Sequence, residues 1–255
     1  MQQTQIDKDF LETQYASAIE YAAACLESGK IEKSISFCEY AGYLAWMYPF
    51  LKNFSDDSLE HLVSSIAENF EPIDYIPIER KIVFYNSQIV DNGGLSEQYL
   101  DFFINNNYEL LVIVPDMKRI AYGKAILNKI QKAPNVELFI PDKSNNIRKV
   151  NELKKILSVF KAKHYFVHAV PNDVVACLSF MNMARAKTYY IVHNDHTFWL
   201  GKNLFDLFIE FRHRGISISV ERRGIPKDKI LHIPYYPIRN EETFQGFPFD
   251  RSNKV

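Results

Sequence analysis

From Lys81 onward the chain alternates short apolar runs with stretches of helical periodicity, and this pattern limits its fold more than any other feature. The runs lie at 81–85, 110–115, 136–140, 164–168, 188–193, 204–209 and 230–233. Helical periodicity fills most of the gaps, at 95–106, 121–131, 147–159 and 173–186. Such alternation is the signature of a doubly wound α/β domain, a parallel sheet with helices on both faces. One stretch is ambiguous: Ile-Ser-Ile-Ser-Val at 216–220 alternates as a strand would.

The first third of the chain has a different period. Tyr15, Ile19, Ala22 and Leu26, then Ile31, Ile35, Cys38, Gly42 and Ala45, recur at helical spacing. Ser28, Gly29 and Lys30 between them supply a helix stop and a tight turn, so an antiparallel helical hairpin is expected. A third helix follows, capped by Ser55 or Asp56 and lined on one face by Leu59, Leu62, Val63 and Ile66. The hairpin is similar to a single tetratricopeptide-type unit. One repeat cannot bury its own apolar face, so it is expected to pack against the α/β domain, as a structural appendage or as a partner-recruiting module. The expected organisation is an α-helical region at 1–76, a Rossmann-like domain at 77–238 and a linker at 239–255.

Composition narrows the function classes. Hydrophobic residues make up 47% and charged residues 24%, as in a folded globular protein, and the formal net charge of −1 gives no field that favours nucleic acid. No run approaches the roughly 18 apolar residues of a membrane span, and the start MQQTQIDKDF lacks the features of a signal peptide, so a cytoplasmic location is expected. Cys25, Cys38 and Cys177 are widely spaced and odd in number, which suits neither a disulfide framework nor a zinc site.

In a doubly wound sheet ligands bind beyond the carboxyl ends of the strands, and four segments there carry candidate chemistry. Asn92-Gly93-Gly94 stands before a helix, where exposed amides attract anions, although a simple turn needing positive φ reads the same way. The segment lacks the three-glycine dinucleotide fingerprint, which argues against a nicotinamide or flavin enzyme. His168 ends a strand, as either a proton-handling group or a satisfied residue of the sheet rim. His193, Asp195, His196, Phe198 and Trp199 crowd the turn after the next strand, where aromatics can stack on a sugar face; one loop does not define a metal site, and none is expected. Arg212, His213, Arg214, Arg222 and Arg223 form a basic cluster suited to a carboxylate or phosphate, or a solvated helix face.

These segments fall in an order that resembles the acceptor-side half of GT-B glycosyltransferases, especially the large retaining group that uses nucleotide-sugar donors. The likeness runs from GGLSEQYLDFFINNNYELLVIVP through YFVHAVPND and YYIVHNDHTFWLG to DLFIEFRHRGISISVERRGIPKDKILHIPYYP, about 150 residues from Lys81 to Pro237. It implies that 216–220 is helical. It also implies a transferase acting on a saccharide or lipid-linked acceptor, with a nucleotide sugar as substrate, no metal or cofactor, and peripheral association with the inner membrane face as an option. On this resemblance His168 and His193 are the catalytic candidates, Asn92, Gly93 and Gly94 lie near the donor diphosphate, and Asp195, His196, Trp199, Arg212 and Arg214 face the acceptor. The family often carries two histidines one residue apart at the fourth strand, whereas His168 here is followed by Ala169 and Val170. Nothing in the chain matches the donor-binding half, so an inactive fragment and a missing C-terminal domain are expected. The alternative is a non-catalytic α/β scaffold carrying a helical interaction module.

Overall fold

A computed structural model describes residues 7–52, 54–91, 94–115, 122–142 and 145–235. Three helices come first: α1 (Lys8–Glu27), α2 (Ile31–Met47) and α3 (Asp57–Ala67). The α/β part follows as β1 (Ile78–Asn86), α4 (Leu95–Asn105), β2 (Glu109–Ile113), α5 (Lys124–Lys132), β3 (Val136–Phe139), α6 (Asn146–Phe160), β4 (Ala162–His168), α7 (Val174–Phe180), β5 (Lys187–Ile191), β6 (Leu207–Glu210), α8 (His213–Glu221) and β7 (Ile230–His232). The seven strands pair in parallel in the order β3-β2-β1-β4-β5-β6-β7, a Rossmann-like doubly wound sheet. Strand order reverses between β1 and β4, so a ligand crevice is expected at their carboxyl ends.

Alternate residues of each strand feed two apolar cores. Val83, Tyr85, Val167, Tyr190 and Phe208 face the layer built from α6, α7 and the three N-terminal helices, while Ile82, Phe84, Leu110, Val112 and Ile209 face α4 and α5. Such continuously apolar strands are what a sheet covered on both faces requires.

The N-terminal helices are fixed to the sheet layer by apolar and polar contacts alike. Ala41, Ala45, Leu59 and Ile66 share one core with β1 and β4. The Glu32 carboxylate accepts hydrogen bonds from the amides of Asn146 and Ile147, both at 2.9 Å, and so caps α6 from α2. Asp56 caps α3 by accepting from the amides of Ser58 and Leu59, and also accepts from the Tyr15 hydroxyl at 2.9 Å. Glu60 is fully buried; its Oε1 accepts from the amide of Gly201 at 2.7 Å, and burial pushes its pKa up to about 7.

The sequence-expected strands are all present, with β6 starting at Leu207 rather than Leu204. The helix expected over 173–186 ends at Phe180, where Asn182 takes φ 58° and the chain turns, Met183 then pairing with Ile73. Residues 216–220 are helical, within α8.

Candidate functional site

The carboxyl ends of β1 and β4 are laced together by side chains. Asn86 and His168 stand opposite each other in the register, and His168 Nδ1 lies 3.1 Å from Asn86 Oδ1. The Asn86 amide is oriented by its other contacts, since its Nδ2 donates to Ser96 Oγ on α4 at 2.8 Å and its Oδ1 also accepts from the Gln88 amide at 3.0 Å. With oxygen facing the ring, His168 Nδ1 carries the proton and Nε2 is left as a bare acceptor. That Nε2 is buried and has no hydrogen-bond partner among the described residues. Burial depresses the His168 pKa to about 3, so the imidazole is neutral at physiological pH, with His193 adding to the shift.

His193 stands directly in front, its ring edge-on to His168 with centroids 5.3 Å apart. Loss of solvent on its inner side lowers its pKa, opposed by Asp195. His193 lines a cavity of about 380 Å³ whose other walls are Leu95 at the start of α4, Phe211 and Arg212 after β6, and Tyr235 after β7. Its volume falls within the range of small-molecule sites. Gly94, immediately before α4, has φ 78° and supplies no side-chain cap to the helix. The Tyr235 hydroxyl sits 2.7 Å from the point a Cβ on Gly94 would occupy, so a larger residue there would meet it.

Arg212 is held from behind. Its Nε and Nη2 donate to the two Asp195 oxygens at 3.0 and 2.8 Å, a two-point pair in which Asp195 is buried and the Arg212 side chain remains 61% exposed. Asp195 is positioned in turn by Arg223. This buried guanidinium donates to the carbonyls of Thr197 at 2.7 Å and Asp195 at 3.0 Å, and lies 4.8 Å from the Trp199 ring centroid. Glu210, fully buried nearby, accepts from Ser219, and burial pushes its pKa up to about 7.

The sequence-expected residues separate accordingly. His193 and Arg212 share the cavity; His168 lies behind His193, sealed from solvent. Trp199 corrects the expectation of a sugar-stacking face: it is buried, stacked on Tyr190 at 4.7 Å. Asp195 is likewise no direct ligand contact, being spent on Arg212. His196 is exposed beside Asp195, and Arg214 is exposed on α8; neither lines the cavity. Gly94 is placed at the cavity edge, while Asn92 and Gly93 lie outside the described residues. Sequence reasoning missed Asn86, Phe211 and Tyr235. Asn86 follows directly on an expected strand and Phe211 lies two residues past another, which is the positional signal that could have found them.

Among the described residues no group of three or more His, Cys, Asp or Glu stands ready to hold a metal ion, and no helix is long and apolar enough to cross a membrane. No protein-family model matches the chain, and no curated protein matches it. Fold and site together define a Rossmann-like α/β protein with a cavity at the carboxyl edge of its sheet, lined from the start of α4 and from the segments after β5, β6 and β7.

Proposed function

We propose that the chain is the acceptor-side half of a sugar-transferring enzyme, working with a donor-binding unit that delivers a nucleotide sugar. The observation that carries this reading is the convergence of His193, Arg212 and two aromatic rings, with Leu95 at the start of α4, on one cavity at the carboxyl edge of the sheet. Phe211 and Tyr235 offer an apolar face to a sugar ring, and neutral imidazoles suit hydroxyl recognition and proton handling. In this reading His193 meets the reacting saccharide and His168, with its tautomer set by Asn86, backs it. The resemblance noted in the sequence supports the same assignment.

Transfer needs donor and acceptor oriented together, an advantage worth about 7–11 kcal/mol that one side of a cleft cannot supply. The chain alone is therefore expected to bind saccharide without turning over nucleotide sugars. The test is incubation with a panel of nucleotide sugars and acceptors, alongside NMR titration of the His193 ring. Transfer by the chain alone, or no response of His193 to any saccharide, would overturn the reading.

One observation favours a second role. The helical hairpin exposes Phe10, Tyr21, Tyr40, Tyr43, Met47 and Phe50, more large apolar groups than an appendage needs. If this surface recruits a partner, Tyr40→Ser with Tyr43→Ser abolishes a stoichiometric complex without changing saccharide binding. Unchanged complex formation would remove that role.

A further inference from the structure

Among the described residues that line the cavity, Arg212 supplies the guanidinium, a planar fork of donors with no acceptor. Its neighbours decide what it can do with that fork. Asp195 engages Nε and Nη2, which leaves Nη1 and the outer edge of the planar group unspent. The pair is asymmetric in exposure: the carboxylate is buried and the guanidinium is open to solvent. An ion pair built only for stability gains little from such an arrangement, because the exposed half is screened. An arginine aimed at a ligand gains from it directly, since the buried carboxylate fixes the plane of the fork before anything binds.

The surroundings lean one way. Besides Asp195, a carboxylate that feels Arg212 is Glu210, which is sealed against Ser219 and whose pKa burial pushes up to about 7. Glu97, in the first turn of α4, is buried and does not line the cavity. The exposed cationic or titratable side chains nearby are His193, which shares the cavity, His196 beside Asp195, and His213 and Arg214, which follow Arg212 in the chain. Across the cavity from Arg212, α4 contributes Leu95 at its start.

Resting on the transferase reading, we infer that the acceptor carries an anionic group, a carboxylate or a phosphate on the saccharide, that Arg212 reads it and that Asp195 is its positioning residue. The anion takes the free edge of the guanidinium while the sugar ring lies toward Phe211 and Tyr235. A neutral saccharide would leave the arginine without a partner on that edge.

The test uses the full chain and four probes: glucose 1-phosphate, glucuronic acid, glucose and inorganic phosphate, followed by calorimetry and NMR. The two acidic sugars are expected to bind at least roughly tenfold more tightly than glucose and than inorganic phosphate. Arg212→Gln should erase that preference, and Arg212→Lys should restore part of it, because charge returns without the two-point pairing. Asp195→Asn should weaken the acidic sugars while leaving glucose unchanged, which a merely structural role would not do. Arg212→Gln also leaves the buried Asp195 carboxylate without its guanidinium, so its melting temperature is expected to fall and binding is read well below it, with Arg212→Lys, which keeps a cation there, as the folded control. Equal binding of glucose and acidic sugars, insensitive to Arg212→Gln, would overturn the inference and leave the transferase reading standing. Inorganic phosphate binding as tightly as glucose 1-phosphate would overturn the acceptor assignment. Failure of every sugar to bind would sink the transferase reading itself.

Discussion

Replacing Arg223 by methionine removes a buried charge while keeping most of the side-chain volume, and the structure sets the size of the effect. Arg223 supplies the hydrogen bonds to Thr197 O and Asp195 O at 2.7 and 3.0 Å and a longer one to Asn194 O at 3.4 Å. Leaving two buried carbonyls unpaired costs about 1–3 kcal/mol each. The contact with the Trp199 ring adds on the order of 1 kcal/mol. Glu210 also loses a neighbouring cation, but its pKa near 7 lets it take up a proton, which limits that part of the loss. The total is about 3–7 kcal/mol, a range that contains the cost of about 3–5 kcal/mol usual for breaking a buried charge pair. At roughly 2–4 °C per kcal/mol for a chain of this length, melting should fall by at least about 6 °C. Urea unfolding at pH 7.5, followed by near-ultraviolet circular dichroism from the tryptophans, measures it. A loss below about 1 kcal/mol would refute the reasoning and return Arg223 to the status of a solvated surface cation.

Other consequences are as direct. Glu60 has its folded pKa raised to about 7 by burial, so its contribution is fully present below the unfolded value near 4.5 and is lost as pH rises to about 7; Glu60→Gln should remove that decline and stabilise the chain at pH 8 by about 1–3 kcal/mol, read from urea midpoints across pH. His168 runs the other way: with its folded pKa depressed to about 3, its contribution is present above about 6.5 and lost as pH falls toward 3, and NMR titration should find its ring neutral at pH 5. Gly94→Ala meets both a positive φ and the Tyr235 hydroxyl, and should cost about 1–2 kcal/mol while shifting Tyr235 resonances. Asp56→Ala removes the cap of α3 and the partner of Tyr15, for a loss of about 1–3 kcal/mol in thermal melts.

The parallel sheet was legible because its strands are short apolar runs, a signal that burial on both faces imposes directly on sequence. Residues 216–220 were not legible from local pattern. The face α8 buries is Gly215 and Ser219, small residues without hydrophobic signal, so the Ile-Ser alternation around them points to the wrong period. The same stripe explains Arg223. It lies four residues beyond Ser219 and so continues the buried face, while Arg222 turns outward; in sequence the two arginines look alike. Trp199 misled for a related reason, since an aromatic after a strand reads equally as a sugar platform or as core, and the buried guanidinium beneath it has no local signature. His193 and Arg212 were recoverable because position at a strand end is itself the signal. The Asp195–Arg212 pairing was not, as it joins two loops whose approach only the sheet order decides.

The contact at Gly42 couples parts of the chain that composition would keep apart. A Cβ on Gly42 would stand 3.0 Å from the Asn172 side chain and 3.2 Å from Leu200, and the Asn172 amide donates to the Glu39 carbonyl one turn earlier on α2. Asn172 lies on the loop that leaves β4 just after His168. A side chain at residue 42 therefore requires Asn172 and Leu200 to give by a few tenths of an ångström, so changes at 42 and 172 are coupled through this contact. The loop that follows the strand-end histidine is thereby packed on the helical hairpin, so replacing the first helices would uncover the edge of the sheet at Asn172.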